Sequence, residues 1–156
     1  MARPTPSDMP DVIETYLWVD EHDWLKALYR SPANNSPQFR VPDLLGACIS
    51  IVFGDDDPTG RIFGYLGRDL IRRDPRTARR QERMWREHFA LLQHLQRSPA
   101  NRYPHPSFAL DQLTTACVAI VRADAVADAR ILDQARRNTA ARSARAPRVI
   151  KQGGAS

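Results

Sequence analysis

Six arginines, Arg72, Arg76, Arg79, Arg80, Arg83 and Arg86, crowd one short stretch of the chain. A guanidinium is effectively always charged and presents a planar fork of donors that matches phosphate oxygens. The chemistry these residues can do is anion binding, and a polyanion backbone held this way is released steeply as salt rises. The same spacing fits the solvated face of an exposed linker helix, and the sequence leaves both readings open. Residues 1–71 hold 6 basic and 11 acidic side chains, whereas residues 72–156 hold 17 and 7. Such an imbalance predicts a face or tail that meets a polyanion, most commonly nucleic acid.

No other cluster offers a reaction. His22 and His88 each follow a glutamate, but no further ligand-type residues gather around them, so no metal site is expected. Gly60, Gly64 and Gly67 lack the preceding strand and following Lys-Ser/Thr of a phosphate-cradling loop and predict close helix packing instead. Cys48 and Cys117 have neither zinc nor redox spacing and read as buried, reduced thiols in a cytoplasmic protein. Neither a nucleophile–base arrangement nor a carboxylate pair for acid–base work is visible, so the expectation is a non-enzyme without cofactor. The N-terminal MARPTPSDMP has no apolar core of a secretory signal, and the largely apolar Ala47–Phe53 is too short to span a bilayer. Arginine-dominated positive charge fits a GC-rich bacterial source, and a nucleic-acid partner would give the protein a nucleoid- or plasmid-associated location.

The elements that position these residues come in two similar sets. Sliding the chain by 69 positions puts Pro37 on Pro106, Phe39 on Phe108, Leu44 on Leu113, Ala47 on Ala116, Cys48 on Cys117 and Ile51-Val52 on Ile120-Val121. Asp55 then meets Asp124, and Arg61-Ile62 meets Arg130-Ile131. Upstream, Arg30-Ser31-Pro32-Ala33-Asn34 recurs unchanged as Arg97-Ser98-Pro99-Ala100-Asn101 at a shift of 67, with the slip in a Pro/Asn-rich loop. The chain reads as two copies of one unit.

In the first copy, Ser7-Asp8 caps a helix whose apolar positions Ile13, Tyr16, Leu17, Trp24, Leu25 and Leu28 keep a helical period to Arg30. After the loop Ser31–Ser36, Phe39 and Val41 alternate with Gln38 and Arg40, which predicts a short half-buried strand over Pro37–Val41. Pro42 and Asp43 then open a helix to Phe53 that is apolar almost all round and must be covered on most sides. Asp57-Pro58 starts a further helix to Arg73, and Asp74-Pro75 starts a long two-faced helix to Arg97, with Met84, Trp85, Leu91, Leu92 and Leu95 opposite the arginines. The second copy gives a strand at Pro106–Leu110, an apolar helix Asp111–Val121 and a helix around Asp128–Thr139. Residues 141–156 predict a disordered basic tail.

A lone strand has unpaired edges and an all-apolar helix has no cover. Both problems vanish if the two copies interlock, strand against strand and helices around each other. The expected fold is mainly α with one short two-stranded antiparallel ribbon and a pseudo-two-fold axis. It forms a single domain over residues 1–140, built from repeats 8–73 and 75–140. This arrangement, carried by Pro37–Asp43 and the helix pair that follows, resembles the ribbon–helix–helix family of DNA-binding proteins. Phe39-x-Val41, Leu44-Leu45, Phe53, Asp57-Pro58-x-Gly60-Arg61 and Phe63-Gly64-x-x-Gly67 are similar to the tandem, single-chain accessory proteins of Vir-type T-DNA transfer. The N-terminal and long basic helices lie outside the minimal family fold.

The resemblance implies that the ribbon enters the major groove of double-stranded DNA. It makes Gln38 and Arg40 base contacts, with Ser107 at the matching place in the second copy. It places the helix start Thr59-Gly60-Arg61 on a phosphate; separately from the resemblance, the arginine stripe makes Arg76, Arg79, Arg80 and Arg83 expected phosphate contacts. Because Ser107 and Ala109 are small, readout is lopsided, or the second copy is purely structural. The implied role is a plasmid- or conjugation-type accessory factor or transcription regulator, a monomer in its pseudo-symmetry that can meet DNA-processing or transcription proteins and oligomerise further. The alternative is a helical protein–protein adaptor whose partner surface is the apolar faces of Ile13–Leu28 and Met84–Leu95.

Overall fold

A computed structural model describes residues 11–101 and 107–145. Strand β1 (Val12–Trp18) runs directly into helix α1 (Val19–Tyr29), followed by α2 (Val41–Phe53) and α3 (Pro58–Arg68). A 3-10 turn at Leu70–Arg72 leads to strand β2 (Arg79–Trp85), which runs directly into α4 (Arg86–Gln96), then α5 (Leu110–Arg122) and α6 (Ala127–Arg145). The described chain is therefore mainly helical with one two-stranded antiparallel sheet, the order strand–helix–helix–helix occurring twice. None of its helices is long and apolar enough to cross a membrane.

The ribbon pairs Val12 with Trp85, Thr15 with Glu82 and Trp18 with Arg79. Val19 N–H donates to Ala78 O at 2.9 Å and Arg86 N–H to Asp11 O at 2.5 Å, continuing the ladder past both ends. On one face Leu17 and Met84 are fully buried and Thr15 nearly so. Beneath lie α2 and α5, packed on each other, with α2 against β2 and α6, and α5 against β1 and α3. Each central helix is thus covered by elements from the other part of the chain, the cover that their all-apolar surfaces demand. Leu44, Leu45, Cys48, Ile49 and Val52 of α2 and Leu113, Ala116, Cys117 and Val118 of α5 have no exposed surface.

The ribbon does not lie where the sequence pattern put it. Residues 38–40 and 107–109 are irregular, and Val41 and Leu110 already begin helices. Pro106 lies outside the described residues. The reason is local hydrogen bonding. Buried Asn34 accepts from Phe39 N–H at 2.8 Å and donates to Phe39 O at 2.9 Å and Tyr29 O at 3.0 Å. Asn101 does the same for Phe108 N–H (2.9 Å), Phe108 O (3.0 Å) and Gln96 O (2.8 Å). With both backbone groups taken by an asparagine, neither phenylalanine can join a ladder. Phe39 and Val41 are both buried because the loop dips into the core, not because they share a strand face.

The expected N-terminal helix is a strand as far as Trp18 and a helix only from Val19. Its proposed cap at Ser7-Asp8 lies outside the described residues. The expected long basic helix is likewise broken, Arg79–Trp85 being strand. Arg-Arg-Gln-Glu-Arg-Met-Trp has little strand propensity, so here pairing to the β-rich Val-Ile-Glu-Thr-Tyr-Leu-Trp and the burial of Met84 override local preference. Residues 141–145, expected as disordered tail, are the last turn of α6. Arg142 stacks 3.7 Å over the Trp85 ring, and Arg145 pairs with Glu87 at 2.7 Å. Residues 146–156 lie outside the described residues.

Candidate nucleic-acid interface

Strand alternation gives the ribbon an outward face opposite Thr15, Leu17 and Met84. Its residues, in register, are Val12 opposite Trp85, Glu14 opposite Arg83, Tyr16 opposite Gln81 and Trp18 opposite Arg79. Only the middle two pairs are open: Glu14, Gln81 and Arg83 are exposed, and Tyr16 is 49% exposed.

The two ends are closed by tryptophans tied to helix starts. Trp18 donates its indole N–H to Asp111 at 3.0 Å; Arg79 Nε donates to the same carboxylate at 3.0 Å, with its guanidinium 4.1 Å over the Trp18 ring. At the other end Trp85 donates to Asp43 at 2.9 Å, with Arg142 over its ring and 3.9 Å from the same carboxylate. These contacts fix the starts of α5 and α2 on either side of the ribbon. Next to the start of α2 lies a groove of about 450 Å³, bounded by Glu14, Gln81, Arg83 and Trp85 of the ribbon and by Arg40 and Pro42. Next to the start of α5 a second groove, of about 550 Å³, is bounded by Glu14, Tyr16, Arg79, Phe89, Leu110 and Asp111. The product is a two-stranded ridge, about the width that the major groove admits, with a trough and a helix start on each side. Asp43 and Asp111 already put a carboxylate at each positive helix end, so anion contact there falls to arginines rather than backbone amides.

The residues singled out from sequence are scattered differently from expectation. Gln38 and Arg40 are off the ribbon. Gln38 reaches back to Tyr29 O at 3.3 Å, whereas Arg40 is the exposed cap residue of α2, facing the first groove. Ser107 is exposed in the irregular lead-in to α5. Thr59, Gly60 and Arg61 open α3, capped by Asp57, which accepts from Gly60 N–H at 3.0 Å. Arg61 pairs with Asp55 and borders a cleft with Ile51 and Ala123, at the far end of α2 from the ribbon. Thirteen helical residues, about 20 Å, separate this helix start from the expected site. Arg79, Arg80 and Arg83 are on β2 itself, and Arg76 is in the preceding turn, its backbone and side chain bonded to Asp74.

Glu14, Tyr16 and Gln81 were missed because their segments read as helix. The signal that could have found them is the alternation Ile13-x-Thr15-x-Leu17, which fits a strand as well as Ile13, Tyr16 and Leu17 fit a helix. The close-packing glycine is Gly46 rather than those of α3: a Cβ there would lie 2.6 Å from the His88 ring. At Gly60 that space is filled by its own cap, Asp57.

The buried titratable groups hold the fold together. Burial pushes the Cys117 thiol up to about 12 and Cys48 higher still, so both stay neutral. Glu21 is buried and takes a bidentate pair from Arg73, at 2.8 and 2.6 Å. His22 bonds Glu82 at 2.9 Å beneath the ribbon. Among the described residues no three His, Cys, Asp or Glu side chains are placed to hold a metal. Of the apolar residues that an adaptor would present, Leu25, Leu28, Met84, Leu92 and Leu95 are in the core, whereas Tyr16 is 49% and Leu91 40% exposed. No protein-family model, curated protein or solved structure matches the chain.

Proposed function

We propose that this chain binds double-stranded DNA with the outward face of the β1–β2 ribbon in the major groove, as a tandem ribbon–helix–helix protein. The observation that carries the reading is the ridge itself: four exposed polar or aromatic side chains, Glu14, Tyr16, Gln81 and Arg83, between two troughs. The register supports a pseudo-two-fold. Thr15 lies opposite Glu82, which is 67 residues on, the same shift that carries Arg30–Asn34 onto Arg97–Asn101. A half-turn about that pair exchanges the ribbon's strands. It also matches Trp18 with Trp85, Asn34 with Asn101, and the cross-packing of α2 and α5. Base reading moves from Gln38, Arg40 and Ser107 to the ribbon quartet, and Arg40, Arg76 and Arg80 become phosphate contacts on the flanks. Occupying a site in this way is the chemistry of a transcription regulator or of an accessory factor in plasmid transfer.

Titrating a fluorescent duplex against salt tests the reading. Three phosphate contacts give a slope of log K on log salt of roughly −3. No binding at low salt would refute it, and so would binding that ignores salt.

A further inference from the structure

We infer that the preferred duplex is non-palindromic, with purines on the DNA strand lying along β2 and pyrimidines on the strand along β1. This rests on the proposed ribbon-in-groove binding. Under the half-turn about Thr15 and Glu82, Glu14 exchanges with Gln81 and Tyr16 with Arg83. The exchanged residues are chemically unlike. β2 offers an amide that both donates and accepts and a guanidinium that only donates; β1 offers a carboxylate that only accepts and a phenol ring. A palindrome presents the same edges to both halves, and one half would then meet the wrong chemistry.

The cross-strand pairs add a further constraint. Glu14 faces Arg83 directly, and Tyr16 faces Gln81. Directly opposed side chains have Cβ atoms about 4.5–5.5 Å apart, so each couple can share one base pair. Arg83 as a fork on guanine O6 and N7 leaves the cytosine N4 amine of that pair for Glu14 to accept from. Gln81 on adenine N6 and N7 leaves the thymine methyl for the face of Tyr16. The reverse assignment fails: Glu14 on guanine would oppose the acceptors O6 and N7, and Arg83 on cytosine would oppose a donor. Gln81 and Arg83 are two residues apart, about 6.6 Å along the strand and two base-pair steps. The flanks are unlike as well, with Arg40 and Pro42 beside the first trough and Arg79, Leu110 and Asp111 beside the second.

Selection from a randomised duplex pool tests this, using the full chain and the double variant Glu14→Gln/Tyr16→Arg, which gives both strands the same outward pair. The native chain should select a consensus with guanine and adenine two steps apart on one strand and no inverted copy. The variant should select a palindrome with a guanine on each strand, the arginine fork gained on β1 displacing the Gln81–adenine contact of the shared base pair. A palindromic consensus from the native chain, an unchanged consensus from the variant, or selection without base preference would each overturn the inference while leaving duplex binding in place. Failure of the native chain to bind any duplex at low salt would instead remove the function it rests on.

Discussion

Replacing Asn34 by alanine should destabilise the protein far more than its loop position implies. The side chain is 3% exposed and makes three hydrogen bonds, two of them to the backbone of buried Phe39. Each bond contributes about 1 kcal/mol net, and leaving the Phe39 N–H buried without a partner adds to that. The expected loss is roughly 3–4 kcal/mol, or about 6–16 °C in the melting temperature of a chain of this size. Urea unfolding measures it directly. Asn35→Ala is the control: that neighbour is exposed and bonds only to Ser36 Oγ, so it should stay within about 0.5 kcal/mol of native. Asn34→Ala carries a functional consequence too, because Phe39 leads straight into Arg40 at the first trough. Loosening it should weaken duplex binding even where the variant is folded. A midpoint for Asn34→Ala indistinguishable from Asn35→Ala would show that these bonds do not hold the loop, and would remove the explanation for why residues 37–41 are not a strand.

Three further outcomes follow from the same contacts. Gly46→Ala puts a Cβ 2.6–2.7 Å from two ring atoms of buried His88, an overpacking that should cost about 1–3 kcal/mol by urea unfolding; His88→Ala in the same chain should recover part of it. Burial, helped by Arg142 and opposed by Glu87, pulls the His88 imidazole down to about 4 from an ordinary 6.5. Between those values the unfolded chain takes up a proton that the folded one refuses. Stability present above pH 6.5 is therefore lost as pH falls towards 4, by up to about 3 kcal/mol, and His88→Gln should lack that slope when its urea midpoint is followed over the same range. Arg40→Ala should weaken binding equally on all duplexes and flatten the salt slope by about 1, whereas Arg83→Ala should chiefly erase discrimination at its guanine, both read by fluorescence anisotropy.

What was legible in the sequence was the part governed by local rules and burial. Asp57-Pro58 opens α3 as its cap and first-turn proline require, and the all-apolar α2 and α5 are central because nothing else could cover them. The two-stranded ribbon was foreseeable as a need on the reading of two interlocking units, but not in its place. Its pairing joins residues 61 to 73 apart, and no local pattern in Arg-Arg-Gln-Glu-Arg-Met-Trp announces a strand. The alternation around Phe39 was real but had another cause, because Asn34 had already taken the hydrogen bonds that a strand needs. The site moved with the ribbon: Arg79, Arg80 and Arg83 stayed near it, while Thr59, Gly60 and Arg61 went to the opposite end of α2.

Where the two parts of the chain resemble each other is itself informative. Asn34 and Asn101, Phe39 and Phe108, Leu44 and Leu113, and Cys48 and Cys117 match in sequence, and all are buried. The ribbon's open outward residues do not match, although the closing Trp18 and Trp85 do: Glu14 stands for Gln81 and Tyr16 for Arg83. A packed core holds its residues by volume, so likeness there needs no common ligand. An exposed position is held only by what it touches, and two strands touching the same base sequence would be held to the same side chains. The contrast between a matched interior and an unmatched ridge is what the proposed binding to a target with two different halves requires. It also fixes an energetic expectation for Glu14→Gln/Tyr16→Arg. Because Glu14 is exposed and Tyr16 only half-buried, the variant should unfold within about 1–2 kcal/mol of native in urea. A larger loss would mean the outward residues serve the fold, and the argument from their divergence to an asymmetric target would fail.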